Sequence, residues 1–185
     1  MRKSQIRKKI FKKCLNLKIK NKEIKFLNLL KILNQKIRNK KIGLYYPIRS
    51  EVSTIGLIQI LKKKKYTISL PVIEKNFRMS FYEWNENRPL KINKYGIPEP
   101  FKLKKIIPHI LIIPIVAFDS KLNRIGYGGG FYDRYISNLE KKKNILKIGL
   151  ALSFQKINKV PTNKFDKKMN YIFTENKVYK WEYFF

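Results

Sequence analysis

Between Arg124 and Asp133 the chain reads Arg-Ile-Gly-Tyr-Gly-Gly-Gly-Phe-Tyr-Asp, with glycines at 126, 128, 129 and 130. Glycine takes positive φ at little cost and lets a ligand approach the backbone closely. N–H groups exposed in succession at a helix start attract anions. Such a loop can hold phosphates, with Arg124 as a charged clamp and Asp133 as a magnesium ligand. Its spacing is Gly-x-Gly-Gly-Gly. That is neither the Gly-Lys-Ser/Thr ending of a P-loop nor the Gly-x-Gly-x-x-Gly of dinucleotide sites. Glycine richness alone also describes a tight turn, but a plain turn does not need Arg124 and Tyr132-Asp133 at its flanks.

Elements on either side must position this loop. The apolar run Ile112–Phe118 leads in and Phe131–Leu139 leads out as a helix. Residues 2–14 and 22–38 read as helices. In the second, Ile24, Leu27, Leu29, Leu30, Ile32, Leu33 and Ile37 approximate an apolar stripe at helical spacing. Short apolar strands are expected at 42–46, 66–70, 110–116, 146–152 and 171–174. A half-wet strand is expected at 79–84, a helix at 52–63 and a long polar connection from 85 to 105. Helix and strand alternate, and several strands are apolar throughout. That pattern predicts an α/β fold with a largely parallel sheet, in which ligands bind beyond the carboxyl ends of the strands. Tyr46–Glu51, Leu70–Val72 and Phe118–Asp133 each follow such a strand and can converge on one edge. At 185 residues, with no repeat or linker, residues 1–185 read as a single domain.

Composition narrows the function classes. A 44% hydrophobic content argues against disorder. One cysteine, Cys14, and one histidine, His109, leave no internal disulfide, no thiol–imidazole zinc site and no serine or cysteine triad. Lysines interrupt the N-terminal segment, and the run from Ile106 to Phe118 is short and holds two prolines, so neither a signal peptide nor a membrane span is expected. The expected location is the cytoplasm. The net charge of +31 raises the possibility of nucleic-acid binding. However, the lysines are dispersed and greatly outnumber the arginines, whose planar fork is preferred at phosphates. Abundant Lys, Asn, Ile, Phe and Tyr together also fit A+T-rich codons. No specific nucleic-acid partner and no membrane partner are expected, and a monomer is.

Phe118-Asp119 followed by Arg124-Ile-Gly-Tyr-Gly-Gly-Gly-Phe-Tyr-Asp-Arg134 resembles the signature of the 5-formyltetrahydrofolate cyclo-ligase (methenyltetrahydrofolate synthetase) family. Lys3-Ser-Gln-Ile-Arg7 resembles the family's Lys-x-x-x-Arg element, and Tyr45–Thr54 its segment ending in Glu-Val-x-Thr. Leu70-Pro-Val72, Gly96–Pro100 and Val160-Pro161 with Asp166 fall in the family's order. The resemblance implies a three-layer α/β/α domain. It also implies the ATP- and magnesium-dependent closure of 5-formyltetrahydrofolate, with or without a polyglutamate tail, to 5,10-methenyltetrahydrofolate.

Residue roles follow from the resemblance. Lys3, Arg7 and Arg124 are implied at the ATP phosphates, with Ile125, Gly126, Tyr127, Gly128, Gly129, Gly130, Phe131 and Tyr132 completing the nucleotide loop. Lys3 and Arg124 are the implied catalytic cations. Tyr46, Glu51, Tyr127 and Phe131 are implied on the folate side, Glu51 accepting hydrogen bonds from the pterin amino groups. Asp133 and Asp166 are the implied magnesium ligands. Asn170 departs from relatives that carry another acid there. Each residue also has a plainer reading: Lys3 and Arg7 as surface charges, Arg124 as a salt bridge to Asp119 or Asp133, Glu51 as a cap for the helix at 52–63, and Asp166 as a turn residue. Two rival functions stand beside the cyclo-ligase: a basic nucleic-acid-binding protein, and a nucleotide-binding relative without cyclo-ligase activity.

Overall fold

A computed structural model of the chain describes residues 1–16, 24, 26–36, 41–141 and 143–180. Helices α1 (Lys3–Asn16) and α2 (Leu27–Lys36) precede strand β1 (Lys41–Gly43), helix α3 (Ile55–Lys63) and strands β2 (Thr67–Ile73) and β3 (Met79–Glu83). Short strands β4 (Lys91–Ile92), β5 (Pro98–Glu99) and β6 (Lys105–Ile106) lead to β7 (Ile110–Pro114). A hairpin of β8 (Ala117–Phe118) and β9 (Arg124–Ile125) precedes helix α4 (Phe131–Glu140). Strands β10 (Leu146–Leu150), β11 (Tyr171–Phe173) and β12 (Val178–Lys180) complete the order.

Eight strands form one sheet in the order β12-β11-β10-β7-β1-β2-β3-β6. From β11 to β2 the neighbours run parallel, and β12, β3 and β6 pair antiparallel at the two edges. Strand β7 is buried at every position, as a parallel strand covered on both faces must be. Its residues alternate between two cores. Ile110 and Ile112 join Ile42, Ile68 and Ile148 beneath Leu29 and Leu33 of α2 and Leu57, Ile58 and Leu61 of α3. Leu111 and Ile113 join Phe81, Phe118 and Ile172 beneath Ile136 and Leu139 of α4. The result is the expected three-layer α/β/α arrangement.

Helix α1 belongs to a third cluster. Ile6, Ile10 and Cys14 pack on Val116, Ala117, Ile125 and Val160, just beyond the carboxyl end of β7. The N-terminal helix is thereby laid across the end of the sheet where the fold predicts a ligand.

Several boundaries differ from the sequence reading for local physical reasons. Helix α3 starts at Ile55 and not at residue 52, because the preceding residues are tied back to the end of β1. The Thr54 hydroxyl donates to the Tyr45 carbonyl at 2.7 Å and the Tyr45 hydroxyl to the Val52 carbonyl at 2.7 Å. Strand β2 runs on to Ile73 because β3 pairs with it. The long connection carries its own β4–β5 hairpin, and β12 adds an edge strand that alternation alone does not announce. Of the expected helix at 22–38, the described part is α2 with Ile24 and Phe26. Ile37, the side chain of Leu27 and most of the lysine-rich stretch before α2 lie outside the described residues. Among the described residues no helix is long and apolar enough to cross a membrane.

Candidate active site

The glycine loop is held open by the elements at its two ends. On the strand side, Asp119 organises the β8–β9 turn. Its Oδ1 accepts from the backbone N–H groups of Lys121 and Asn123, and its Oδ2 from Asn123 Nδ2 at 2.9 Å and Val160 N at 3.0 Å. On the helix side, Gly130 takes φ +64° at the N-cap of α4. Gly128 has φ +114°, the other left-handed position in the loop. An L-residue at either would be strained. Gly126 is different: a Cβ there would meet nothing within 4 Å. The space over Gly126 is left clear by the protein itself.

Arg124 is only 5% exposed, and its Nη1 donates to Asp133 Oδ1 at 2.9 Å. The same oxygen accepts from the Lys167 backbone N–H at 3.0 Å. Of the two plainer partners that the sequence offers for Arg124, the fold selects Asp133, since Asp119 is committed to the turn. Arg124 Nε and the Tyr132 hydroxyl are buried without a hydrogen-bond partner among the described residues. Buried polar atoms are nearly always partnered, so these two set Arg124 and Tyr132 apart from the rest of the described side chains.

Helix α1 supplies two further cations from one face, as their four-residue spacing predicts. Arg7 Nε donates to the Gly126 carbonyl at 2.7 Å, and its guanidinium lies 3.5–3.8 Å from the position a Gly128 Cβ would take. Lys3 Nζ is paired with Asp166, 2.6 Å from Oδ1 and 2.5 Å from Oδ2. Asp166 Oδ2 also accepts from Asn163 N at 2.7 Å, so the residue serves both as a turn brace and as the partner of Lys3. Arg7 thus lies against the glycine loop, while Lys3 and Arg124 are each paired with an aspartate, Asp166 and Asp133.

Glu51 sits in the turn after β1. It does not cap α3: its Oε2 accepts from Ile48 N at 3.0 Å within its own turn. The Tyr127 side chain of the glycine loop lies near enough to act on the same carboxylate. Burial pushes the Glu51 pKa up to about 7, while the bonds from Ile48 and Tyr127 and the charge of Arg49 oppose the rise. Burial raises the Tyr127 and Tyr132 hydroxyls as well, and both stay protonated. Tyr46, five residues before Glu51, takes another direction. Its ring meets Trp84 edge-on at 6.2 Å and lines a cavity of about 350 Å³ with Ile55, Ile58, Gln59, Arg88 and Leu90. Tyr45, the alternative aromatic, is buried with its hydroxyl committed to Val52. Phe131 stands at the mouth of the loop, 6.3 Å from the Tyr95 ring in a T-shaped contact.

The donor set can be tested against a magnesium ion. Among the described residues no three histidine, cysteine or carboxylate side chains cluster. Magnesium on a nucleotide needs no such cluster, because phosphates and waters supply most of its ligands and the protein adds one or two carboxylates. Asp133 fits that demand, because Arg124 and Lys167 fix it beside the loop through one oxygen. Asp166 is next to Lys167 in sequence and meets the demand less directly, because both of its oxygens bond Lys3. Asn170 has a structural task instead, its Oδ1 accepting from Lys147 N at 2.8 Å to fasten β11 to β10.

Sequence reasoning missed Arg134 and Gln155. Arg134 Nη2 donates to the Gly129 carbonyl at 2.6 Å and to Phe77 O at 3.1 Å, bracing the loop from outside. Gln155 is buried and donates to the Ile115 and Val116 carbonyls at 2.8 and 3.0 Å, fixing the end of the central strand. The closing position of the quoted motif was a signal for Arg134; Gln155 had none.

This geometry has known counterparts. The sequence profile of the 5-formyltetrahydrofolate cyclo-ligase family matches residues 2–175. The chain belongs to the 5-formyltetrahydrofolate cyclo-ligase family. It is 38% identical over 133 residues to the 5-formyltetrahydrofolate cyclo-ligase of Haemophilus influenzae, covering 68% of this chain and 70% of that one. It is 33% identical over 146 residues to a probable 5-formyltetrahydrofolate cyclo-ligase of Schizosaccharomyces pombe, covering 70% and 72%. Among solved structures, the 5,10-methenyltetrahydrofolate synthetase of Aquifex aeolicus superposes with a TM-score of 0.77 at 30% identity, over 97% of this chain and 93% of that one. The Mycoplasma pneumoniae enzyme of the same name gives 0.74 at 26% identity, over 93% and 98%. The cyclo-ligase fold thus spans nearly the whole chain, glycine loop included.

Proposed function

We propose that this chain closes 5-formyltetrahydrofolate to 5,10-methenyltetrahydrofolate at the expense of ATP, releasing ADP and phosphate. The observation that carries this reading is the meeting of two unlike half-sites at Tyr127. Tyr127 belongs to the glycine loop, and the half-buried acid Glu51 lies near enough to act on its hydroxyl. A protein that bound nucleotide alone would not need a half-buried carboxylate there.

A formamide oxygen is a poor leaving group. Its phosphorylation makes departure easy, and the neighbouring folate nitrogen then closes the ring. The protein's task is alignment and charge stabilisation, with no nucleophile of its own. Gly126, Gly128, Gly129 and Gly130 present the backbone to the phosphates, with Ile125, Tyr127, Phe131 and Tyr132 as the frame. Arg7 and Lys3 hold the phosphates from α1, and Arg124 supplies positive potential beneath the transferring group. Glu51 accepts from the pterin amino groups, with Phe131 on the folate side; Tyr46, turned toward Trp84, is not placed there. Asp133, and secondarily Asp166, would hold magnesium. When bound, that ion neutralises charge on the phosphate oxygens.

The test is direct. Purified protein mixed with ATP, magnesium chloride and 5-formyltetrahydrofolate is expected to generate the absorbance of methenyltetrahydrofolate and one ADP per turnover. Nucleotide binding with no such product would favour the relative without cyclo-ligase activity.

A further inference from the structure

Two peptides of the glycine loop, Gly128–Gly129 and Gly129–Gly130, have glycine on both sides, so little opposes their rotation. In a trans peptide the carbonyl and the N–H point in opposite directions. Turning such a peptide over exchanges a donor for an acceptor, and a carbonyl oxygen aimed at a phosphate repels it. Among the described residues, no N–H from Tyr127 to Gly130 donates to a backbone carbonyl. A phosphate loop of this kind needs something to hold its carbonyls back.

Arg134 does so at the Gly129–Gly130 peptide. It stands in the first turn of α4, and its exposed side chain folds back to the loop. Nη2 donates to the Gly129 carbonyl at 2.6 Å. The same nitrogen donates to the Phe77 carbonyl at 3.1 Å, and Nε donates to that carbonyl at 3.2 Å. The Phe131 and Phe77 rings lie 5.3 and 5.9 Å from the guanidinium carbon.

Phe77 is a fixed anchor because the β2–β3 turn holds its backbone. Asn76 and Phe77 take φ +55° and +54°, and Glu74 N donates to Arg78 O at 2.8 Å. Two left-handed residues in succession match the twist of a hairpin, and β2 and β3 pair directly beyond them. At the other end of the loop Arg7 holds the Gly126 carbonyl at 2.7 Å. Two arginines from different helices thus each occupy a loop carbonyl.

We propose that Arg134 is a positioning residue for nucleotide binding: tied to the Phe77 carbonyl, it holds the Gly129 carbonyl outward so that the Gly130 N–H faces the phosphates. The proposal rests on the reading of the loop as the nucleotide site. Arg134 touches no phosphate itself. It acts by fixing one peptide plane, and the β2–β3 turn becomes part of the machinery that shapes the site.

The experiment compares wild type with Arg134→Met, which keeps an unbranched stem and removes the donors, and with Arg134→Lys, which keeps the charge on a side chain one bond shorter. Binding of a non-hydrolysable ATP analogue with magnesium is titrated by calorimetry at about 0.05 M and about 0.5 M potassium chloride, salt concentrations that separate screened from unscreened effects. Arg134→Met should bind the analogue about three- to tenfold more weakly, the worth of one hydrogen bond. That ratio to wild type should persist at high salt, because a fixed peptide, unlike a distant charge, is not screened. Arg134→Lys should recover only part of the loss, since it lacks the planar fork. In turnover, Arg134→Met should raise the ATP KM by the same factor. Its kcat and folate KM should change by less than about twofold, the pattern of lost uniform binding.

The outcomes separate the claims. If wild type does not bind the analogue, the nucleotide reading of the loop falls, and this inference with it. If wild type binds and Arg134→Met binds equally well, the positioning role is wrong and the loop reading stands. A deficit that vanishes at high salt makes Arg134 a long-range charge and overturns the proposal. So does a fall in kcat and folate affinity alongside ATP, or a failure of both variants to fold, since either makes the residue a general structural brace.

Discussion

Arg124 and Asp133 form an ion pair, Nη1 to Oδ1 2.9 Å, that ties the strand entering the glycine loop to the helix leaving it. The arginine side chain is 3% exposed and the carboxylate 21%. Removing one member of a buried pair leaves the other uncompensated, at a cost of about 3–5 kcal/mol. Arg124→Ala should therefore lower both stability and kcat. Asp133→Asn can still accept from Arg124 and Lys167 but leaves the buried guanidinium without its counter-charge, so it too should lose stability. Urea denaturation of the two variants measures this, and wild-type stability in both would show that the pair does not bear the loop.

The clear space over Gly126 gives a cleaner probe of the nucleotide site. Gly126→Ala introduces no strain and meets no protein atom. It should melt like wild type yet bind the ATP analogue at least about tenfold more weakly, because its methyl occupies ligand space. Gly130→Ala should behave differently. It is held at φ +64°, and its Cβ would lie 2.8 Å from Arg134 Nη1, so it should lose stability by about 1 kcal/mol or more. A Gly126→Ala variant with unchanged nucleotide affinity would move the phosphates elsewhere.

Glu51 should trade stability against recognition. A carboxyl raised from 4.5 to about 7 binds its proton more tightly in the folded protein than in the unfolded chain. Its contribution to stability is therefore greatest at acid pH and declines as pH rises from about 4.5 through 7. Above that window the buried charge costs on the order of 3 kcal/mol. Glu51→Gln should be more stable than wild type at pH 8 and show no advantage at pH 4.5, while its folate KM rises. Thermal melts at the two pH values measure the difference, and a variant less stable at pH 8 would contradict the burial argument.

The two aspartates should respond differently to metal. Asp133→Asn should raise the magnesium concentration needed for half-maximal activity. Asp166→Asn should resemble Lys3→Met, because each breaks the same ion pair. If Asp166→Asn alone shifts the magnesium requirement as far as Asp133→Asn does, Asp166 is a ligand of equal rank.

The positive charge makes its own prediction. Duplex DNA should bind weakly, without sequence preference, and dissociate as salt rises toward physiological strength. A sequence-selective complex stable at such salt would require a nucleic-acid role.

Much of this molecule was legible in the chain. Apolar runs without alternation announced the buried parallel strands, but of the segments expected to follow them and converge, Leu70–Val72 lies inside β2 and Tyr46 turns to Trp84. The lysine–arginine spacing on α1 foretold a shared face, though not that Lys3 would be engaged by Asp166. What remained hidden depends on tertiary partners. Thr54 cannot be seen to be pulled back to Tyr45 from local propensity, so the start of α3 was misplaced. Tyr46 and Glu51 are close in sequence, yet the turn between them sends one ring to Trp84 and the carboxylate to Tyr127. Whether Arg124 would pair with Asp119 or Asp133 was open until the β8–β9 turn claimed Asp119.

The bond from Lys3 to Asp166 joins residues 163 positions apart in the chain. During synthesis α1 emerges well before the β8–β9 hairpin it docks on, and its lysine has no partner until Asp166 follows. A nascent chain stalled before that point would carry a cationic amphipathic helix with its apolar face exposed. The site is thus completed only after residue 166 has been made, and truncation before it should yield chains that chaperones retain and nucleotide cannot rescue.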